Sequence, residues 1–325
     1  MDVSETMDVS IIIVNYHSEP MIIDCVRSIQ EHTRSLNYEI LVVDNGSTEK
    51  KENEHFQFLR EKVRWIPVGD NLGFGKANNL GATHARGKYL FLLNPDTVLM
   101  NNAVKILFDY LEANPETGIA GGNLYSPDEK PTGSFCLRFD DPAEEIKASK
   151  WGTILKKKLW EKCGTNTSRP FASSFNYSNS PIPVAYIYGA DMMLSRGLFE
   201  EIGGFDPAFF MYYEEEELTW RVHQKGYQVI CVPSARIIHL EGATQKVGAT
   251  FSERQFRMRM NGKLIFYKKC YGAEGMETFY RYRCRLYRRL LRFSQLRGRQ
   301  ADNTQAYRML NCLQDEYRKY TTNNT

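Results

Sequence analysis

Short apolar runs alternate along the first half of the chain with stretches whose apolar positions recur at helical spacing. Val9–Asn15 reads as a first central strand, and Ser18 caps the following helix, which has Pro20 in its first turn. Ile22, Cys25, Val26 and Ile29 fall at i, i+3, i+4 and i+7, one face of that helix. A second strand over 38–43 completes a βαβ unit, which predicts parallel pairing and a right-handed crossover. A polar helix over 50–62 and a third strand over 63–68 follow. The strongest run is Tyr89–Leu93, five apolar residues that predict a strand buried on both faces. It stops at Asn94-Pro95-Asp96, because Pro95 has no N–H to continue a ladder. A carboxylate there sits where open α/β sheets bind ligands. Val43-Asp44-Asn45-Gly46-Ser47 and Val14-Asn15-Tyr16-His17-Ser18 end their strands as abruptly.

The stretch Asn71-Leu72-Gly73-Phe74-Gly75-Lys76-Ala77-Asn78-Asn79 is a glycine-rich turn feeding a helix, a layout that can hold phosphate. It is not the dinucleotide fingerprint, since the first βα turn carries no Gly-x-Gly-x-x-Gly. Ala103, Leu107, Tyr110 and Leu111 mark a helix face, and residues 118–125 another strand. Over 126–183 the pattern loosens into prolines, scattered aromatics and a short basic helix over 151–162. That segment is an insertion, either an ordered acceptor-binding or lid region or a disordered one. Periodicity returns over 184–194, which holds Tyr188-Gly189-Ala190-Asp191, and a short helix over 196–202 ends at Gly203-Gly204. An aromatic lead, Phe209 to Tyr213, runs into four glutamates, Glu214 to Glu217, opening a helix that Gly226 closes. Strands over 227–232 and 235–240 follow, the second carrying His239 near its end.

The chain's 325 residues have room for one large α/β domain and an appendage. A net charge of +3 gives no field that would call for nucleic acid. Seven cysteines without a Cys-x-x-Cys pair fit neither a disulfide framework nor a zinc site, and point to reduced thiols in the cytoplasm. No apolar run is as long as a membrane span, and the start lacks a signal-peptide layout. Met-Asp-Val-Ser occurs at Met1 and again at Met7, so residues 1–8 read as an N-terminal extension, either with Met7 as an alternative start or with the first six residues disordered. Asn166-Thr167-Ser168 and Asn176-Tyr177-Ser178 match the glycosylation pattern, which is silent without secretion. Charge is uneven: from Arg281 to Arg299 there are eight arginines and no acidic residue. On a helical projection Arg281, Arg285, Arg288, Arg289 and Arg292 share one side, and Tyr282, Leu286, Leu290 and Phe293 the adjoining one. That layout predicts an interfacial helix on anionic lipid, against the alternatives of a packed helix with a solvated basic face or an oligomer contact through the C-terminal helices.

Taken in order, Ile-Ile-Val-Asn-Tyr, Val-Val-Asp-Asn-Gly-Ser, Asn-Leu-Gly-Phe-Gly-x-Ala-Asn-Asn, Leu-Leu-Asn-Pro-Asp-Thr, Gly-Ala, Gly-Gly-Phe-Asp, an acidic cluster and a histidine resemble the family 2 glycosyltransferases, most closely their rhamnosyltransferase-type branch. The resemblance runs from Val9 to Ala243 and weakly to Gly272. It implies an α/β chain of GT-A fold, with a Rossmann-like nucleotide-binding half and an acceptor-binding half in one mixed sheet. The expected organisation is a catalytic domain over 9–245 and a helical, arginine-rich region over 246–325. It also implies a UDP- or dTDP-linked sugar donor, Mg²⁺ or Mn²⁺, inversion at the anomeric carbon, and a glycan or lipid-linked acceptor in cell-surface polysaccharide synthesis. The expected location is cytoplasmic, at the inner face of the plasma membrane, and the best guess for the sugar is rhamnose.

Carried over position by position, the resemblance puts the nucleoside at Asn15, Asp44 and Ser47, with further donor contacts at Asn71, Gly73, Gly75, Asn78, Asn94 and Gly189. Asn94-Pro95-Asp96 takes the place of the family's Asp-x-Asp metal motif with its first aspartate replaced, which leaves Asp96 as metal ligand and His239 to complete the site. The family's base segment Glu-Asp-x-Asp-Leu reads Glu214-Glu215-Glu216-Glu217-Leu218 here; alignment on Leu218 makes Glu215 the base, with Glu214 and Glu217 as alternatives in a shifted register. Chemistry needs these types: a divalent ion offsets charge growing on the diphosphate, and an acceptor hydroxyl needs a base. Two other readings remain: a sugar-nucleotide pyrophosphorylase, which would want a basic glycine-rich loop after the first strand, and a catalytically silent sugar-binding scaffold.

Overall fold

The computed structural model describes residues 7–46, 59, 62–148, 174–240, 251–296, 300 and 304–321. The helix expected over 50–62, the basic helix over 151–162 and the residues after Leu240 in the His239 motif lie wholly or mostly outside them. The chain divides into two compact units: residues 1–139, 173–210 and 214–246, and residues 140–172, 211–213 and 247–325.

The first unit is organised on a mixed sheet. Strands β1 (Val9–Asn15), β2 (Tyr38–Asn45), β3 (Arg64–Val68) and β4 (Tyr89–Leu93) stand in the order β3-β2-β1-β4 and are all parallel. Continuing from β4 come β10 (Asp191–Ser195), β6 (Thr117–Tyr125), β11 (Gln228–His239) and β5 (Thr97–Leu99). Here β10 runs antiparallel to both its neighbours, β6 and β11 are parallel, and β5 is antiparallel to β11. The short β8 (Ile182–Pro183) pairs with β11, and β7 (Phe135–Cys136) with β9 (Tyr186–Ile187) as a separate ribbon.

Alternation along β1 explains the two layers of core. Ile11 and Ile13 face α1 (Glu19–His32) and α3 (Ala103–Ala113), joining Ile22, Val26, Ile29, Leu107 and Leu111. Ile12 and Val14 face the other way, with Ala77 of α2 (Phe74–His84), Leu198 of α5 (Arg196–Glu201), and Leu218 and Val222 of α6 (Glu214–Gln224). Burial of each such aliphatic side chain contributes roughly 1.5–3 kcal/mol, which makes the sheet a rigid platform.

Two strands read separately over 227–232 and 235–240 are one strand, β11, with a register shift between Cys231 and Arg236. Pro233 lies in the shift, and Asn101 spans it: its Nδ2 donates to Ser234 O at 2.7 Å, and its Oδ1 accepts from Arg236 N at 3.1 Å.

The second unit is helical among its described residues: α4 (Pro142–Ala148), α7 (Glu253–Leu296) and α8 (Gln305–Thr321). Gly272, with φ 73° and ψ −177°, breaks α7 into two helices. Lys263 is buried and ion-paired with Asp140 at 2.9 Å and with Glu145, which Arg283 also reaches at 3.3 Å. Burial lowers the Lys263 pKa to about 8, against the opposing pull of Asp140. Tyr280 stacks on Tyr317 at 3.7 Å between centroids, tying α7 to α8.

Candidate active site

The parallel strands β2, β1 and β4 are neighbours, so their carboxyl ends bring Asp44, Asn15 and the Asn94-Pro95-Asp96 turn to one edge of the sheet. Asn15 and Asp44 are register partners, both buried, and Asn15 Nδ2 donates to Asp44 Oδ1 at 3.2 Å. The same Nδ2 donates to Glu19 Oε1 at 2.8 Å, while Asn15 Oδ1 accepts from Ser18 N at 3.1 Å and Ser18 Oγ at 2.9 Å. One amide thus fixes the start of α1 against the end of β2. Ser47 lies outside the described residues.

A second cradle forms beside it. Asn45, buried, donates from Nδ2 to Asn71 Oδ1 at 3.0 Å and to Gly73 O at 3.3 Å, and accepts from Leu72 N at 2.8 Å. Asn71 Oδ1 also accepts from Gly73 N at 2.9 Å. Gly73 opens α2 with φ 85°, and a Cβ there would meet Phe210 O at 2.2 Å, so backbone angle and space both require glycine. Gly75 allows Phe205 to pack, its missing Cβ lying 2.9 Å from Phe205 Cβ. Asn78 is buried and returns its Nδ2 to Phe74 O at 3.1 Å, within its own helix. Its neighbour Asn79 clasps the Gly-Gly-Phe-Asp turn, with Nδ2 on Phe205 O at 2.7 Å and Oδ1 accepting from Phe205 N at 2.8 Å. In the sequence the doubled asparagine and the Asp-Asn-Gly turn are the only marks of the bonds that Asn79 and Asn45 make, and Glu19 has none.

The next strand end carries Asn94 and Asp96. Asn94 N donates to Ala190 O at 2.9 Å, and Asn94 O accepts from Thr97 Oγ1 at 2.7 Å, so its backbone ties β4, β10 and β5 together. His239 and Thr97 are partners on the β11–β5 ladder, and Leu240 N donates to Asp96 O at 2.9 Å. This brings His239 Nε2 to 3.4 Å from Asp96 Oδ1. His239 Nδ1 is buried without a hydrogen-bond partner. A carboxylate and an imidazole suit Mg²⁺ or Mn²⁺ when phosphate oxygens complete the shell. Among the described residues no group of three or more His, Cys, Asp or Glu is gathered for a metal.

The four glutamates occupy the first turn of α6, where negative charge complements the helix dipole. They differ sharply in environment. Glu217 is buried and held bidentately by Arg221 at 2.9 and 2.7 Å; Arg221 in turn donates to Ile202 O at 2.5 Å and to Gly204 O at 2.8 Å. That clamp engages both carboxylate oxygens of Glu217. Glu214 is buried with Oε2 unpaired, and burial, with Glu215's charge adding, holds its carboxyl well above the usual range. Glu216 is buried as well, and Glu215 alone of the four is not. Gly189 lies against this residue: a Cβ there would sit 3.7 Å from Glu215 Cβ and 3.5 Å from the Phe74 ring. Glu215 therefore lies against the backbone at Gly189.

The model of the family described as "Glycosyl transferase family 2" matches residues 10–203. An N-acetylglucosaminyl-diphospho-decaprenol L-rhamnosyltransferase of Mycobacterium tuberculosis is 26% identical over 215 residues, which cover 62% of this chain and 66% of that protein, just under two thirds of its length. The dTDP-rhamnosyl transferase RfbF of Shigella flexneri is 25% identical over 235 residues, 71% of this chain and 68% of that one. Among solved structures, GalNAc-T7 with UDP, GalNAc and Mn²⁺ superposes with a TM-score of 0.60 at 16% identity, over 97% of this chain and 55% of its own. S. aureus TarS 1-349 in complex with UDP gives a TM-score of 0.50 at 15% identity, over 86% and 72%. At such identities the structural likeness speaks for the fold, which is GT-A.

Proposed function

Because the chain belongs to glycosyl transferase family 2, whose model spans residues 10–203, we propose that it transfers a sugar, rhamnose as the first candidate, from a nucleoside diphosphate to a saccharide acceptor with inversion. The observation that carries this reading is the convergence of Asn15, Asp44 and Asp96 on one sheet edge, with His239 beside Asp96. The chain is a glycosyltransferase; donor, metal and acceptor are the proposed part.

Asp44, held by Asn15, accepts hydrogen bonds from the nucleoside. The Asn71–Gly75 turn, fixed by Asn45, lines the donor on the neighbouring side. Asp96 and His239 would hold a divalent cation, Mg²⁺ or Mn²⁺, which would offset the charge on the departing diphosphate. Glu215 takes the proton from the acceptor hydroxyl as its oxygen bonds to the anomeric carbon and the carbon–phosphate-oxygen bond breaks. The pyrophosphorylase reading has no support in the first βα turn, where Asn15 is buried and bonded inward. A dTDP- and UDP-sugar screen for thermal stabilisation, with and without Mn²⁺, tests the donor assignment. Metal-dependent stabilisation supports it; stabilisation by no nucleotide contradicts it.

The second unit supports a further part of the proposal, peripheral binding to an anionic, cytoplasmic membrane face. No described helix is long and apolar enough to cross a membrane. Arg281, Arg285, Arg288, Arg289 and Arg292 are all exposed, as are Leu290, Phe293 and Leu296 at the helix end. Tyr282 and Leu286, expected on the same apolar stripe, are half-buried, which confines the exposed stripe to the last turns of α7. Arginines beside exposed apolar residues suit an anionic lipid surface, and a lipid-linked acceptor would be met there.

A further inference from the structure

Beyond the residues of the candidate site, an aromatic row stands on the surface of the first unit. Tyr125 ends β6, Phe175 meets it edge-on at 5.3 Å and 80°, and Tyr177 follows Phe175 at 4.9 Å. Tyr177 is 81% exposed, an unusual position for a tyrosine that covers nothing. The exposed Arg236 lays its guanidinium over Tyr125, 5.0 Å from the ring centre.

The loop carrying these rings is built to hold them. Asn176 is buried between Phe175 and Tyr177; its Nδ2 donates to Ser180 O at 2.9 Å, and its Oδ1 accepts from Ser178 N at 2.9 Å and Ser178 Oγ at 2.7 Å. Its backbone exchanges two bonds with buried Asn123 of β6, Asn123 Nδ2 to Asn176 O at 2.8 Å and Asn176 N to Asn123 Oδ1 at 3.2 Å. Ser174 N donates to Phe135 O at 2.9 Å, and Ser174 O accepts from Ser134 N at 3.1 Å. The amide of the Asn176-Tyr177-Ser178 glycosylation pattern is thus spent inside the loop, and what the loop presents is the ring of Tyr177.

Register places this row near the chemistry. Tyr125 pairs with Ile238 on β11, and the next residue, His239, is the one that reaches Asp96. We propose that Tyr125, Phe175, Tyr177 and Arg236 form an acceptor shelf that binds a pyranose ring of the saccharide chain being extended. This rests on the glycosyltransferase reading above. The apolar C–H face of a pyranose stacks on a tyrosine ring, while the sugar's edge hydroxyls accept from a guanidinium and bond the polar rim of Ser178, Asn179 and Ser180. A lipid tail would instead call for aliphatic side chains, and the loop from 174 to 180 has none.

Saturation-transfer difference NMR on the full chain tests the shelf with four probes: methyl α-L-rhamnopyranoside, methyl β-D-glucopyranoside, methyl α-D-mannopyranoside and N-acetylglucosamine. Saturation should reach the ring C–H protons of at least one, fall severalfold in Tyr177→Ser, and persist in Tyr177→Phe. Silence for all four in the native chain, or equal transfer in Tyr177→Ser, overturns the proposal. Stabilisation of the native chain by UDP or dTDP with Mn²⁺ reads the donor site separately, so a shelf without sugar and a centre without nucleotide are distinct failures.

Discussion

His239 Nε2 lies 3.4 Å from Asp96 Oδ1, although the two residues are far apart in the sequence of the first unit. The contact follows from backbone alone: β5 is three residues long, starts immediately after Asp96, and runs antiparallel to the end of β11. Pro95 ends one ladder and Thr97 begins another, so the turn between them must present Asp96 next to His239.

Asp96→Ala should abolish the part of nucleotide-induced thermal stabilisation that depends on Mn²⁺. The melting temperature without ligand should move little, because Asp96 caps a turn and its side chain fills no core. His239→Ala should lose the same metal-dependent part. Equal stabilisation with and without metal in the native protein would end the assignment.

Glu214→Gln should stabilise the protein increasingly as pH rises. Burial raises the folded pKa of Glu214, so its contribution is full below the ordinary carboxyl value of 4.5 and is lost as pH climbs toward the folded value. Over that window the native chain loses up to about 1.4 kcal/mol per pH unit at this site, whereas glutamine loses nothing. Melting curves at pH 5, 6, 7 and 8 should show a gap between variant and native protein that widens with pH.

Glu217→Gln should act on the fold. Removing one partner of a nearly buried, bidentate pair leaves Arg221 uncompensated and costs roughly 3–5 kcal/mol. Urea unfolding would register that as a lower midpoint with an unchanged slope.

Most of the sheet was legible in the sequence, because a strand buried on both faces is a plain apolar run: β1, β2 and β4 stand where Val9–Asn15, residues 38–43 and Tyr89–Leu93 predicted. The break expected between 232 and 235 was a bulge, since Pro233 interrupts hydrogen bonding without ending the strand when Asn101 supplies the missing partners. The glutamate run could not be sorted by sequence, as four identical side chains on one helical turn differ only in what packs against them. Arg221, four residues after Glu217, was the one readable clue. Asn45 was hidden for a related reason: its partners are backbone atoms of residues 72 and 73 and the amide of Asn71, and backbone leaves no mark in a sequence.

Asn45→Ala should weaken nucleotide binding while keeping the chain folded. It removes the bonds that shape the Asn71–Gly73 turn, and each buried group left unpaired costs roughly 1–3 kcal/mol. Calorimetric titration with UDP or dTDP should show affinity lowered at least tenfold; unaltered affinity would detach this turn from the donor site.

Sedimentation with vesicles tests the arginine-rich helix. The full chain should pellet with phosphatidylglycerol-containing vesicles, release as salt is raised, and stay free of pure phosphatidylcholine. Leu290→Asn with Leu296→Asn should reduce binding severalfold. Equal binding to both vesicle types would contradict the anionic-lipid reading, and self-association of the chain that the double variant abolishes would place an oligomer contact there instead.

The central claim is that Glu215 accepts the proton in sugar transfer, and it is tested by nucleoside diphosphate release from dTDP-L-rhamnose and UDP-sugars with water as acceptor. In Glu215→Gln the release rate should fall by roughly two to four orders of magnitude, while the donor still stabilises the variant against heat as it does the native chain. Native-level release from Glu215→Gln would contradict the account.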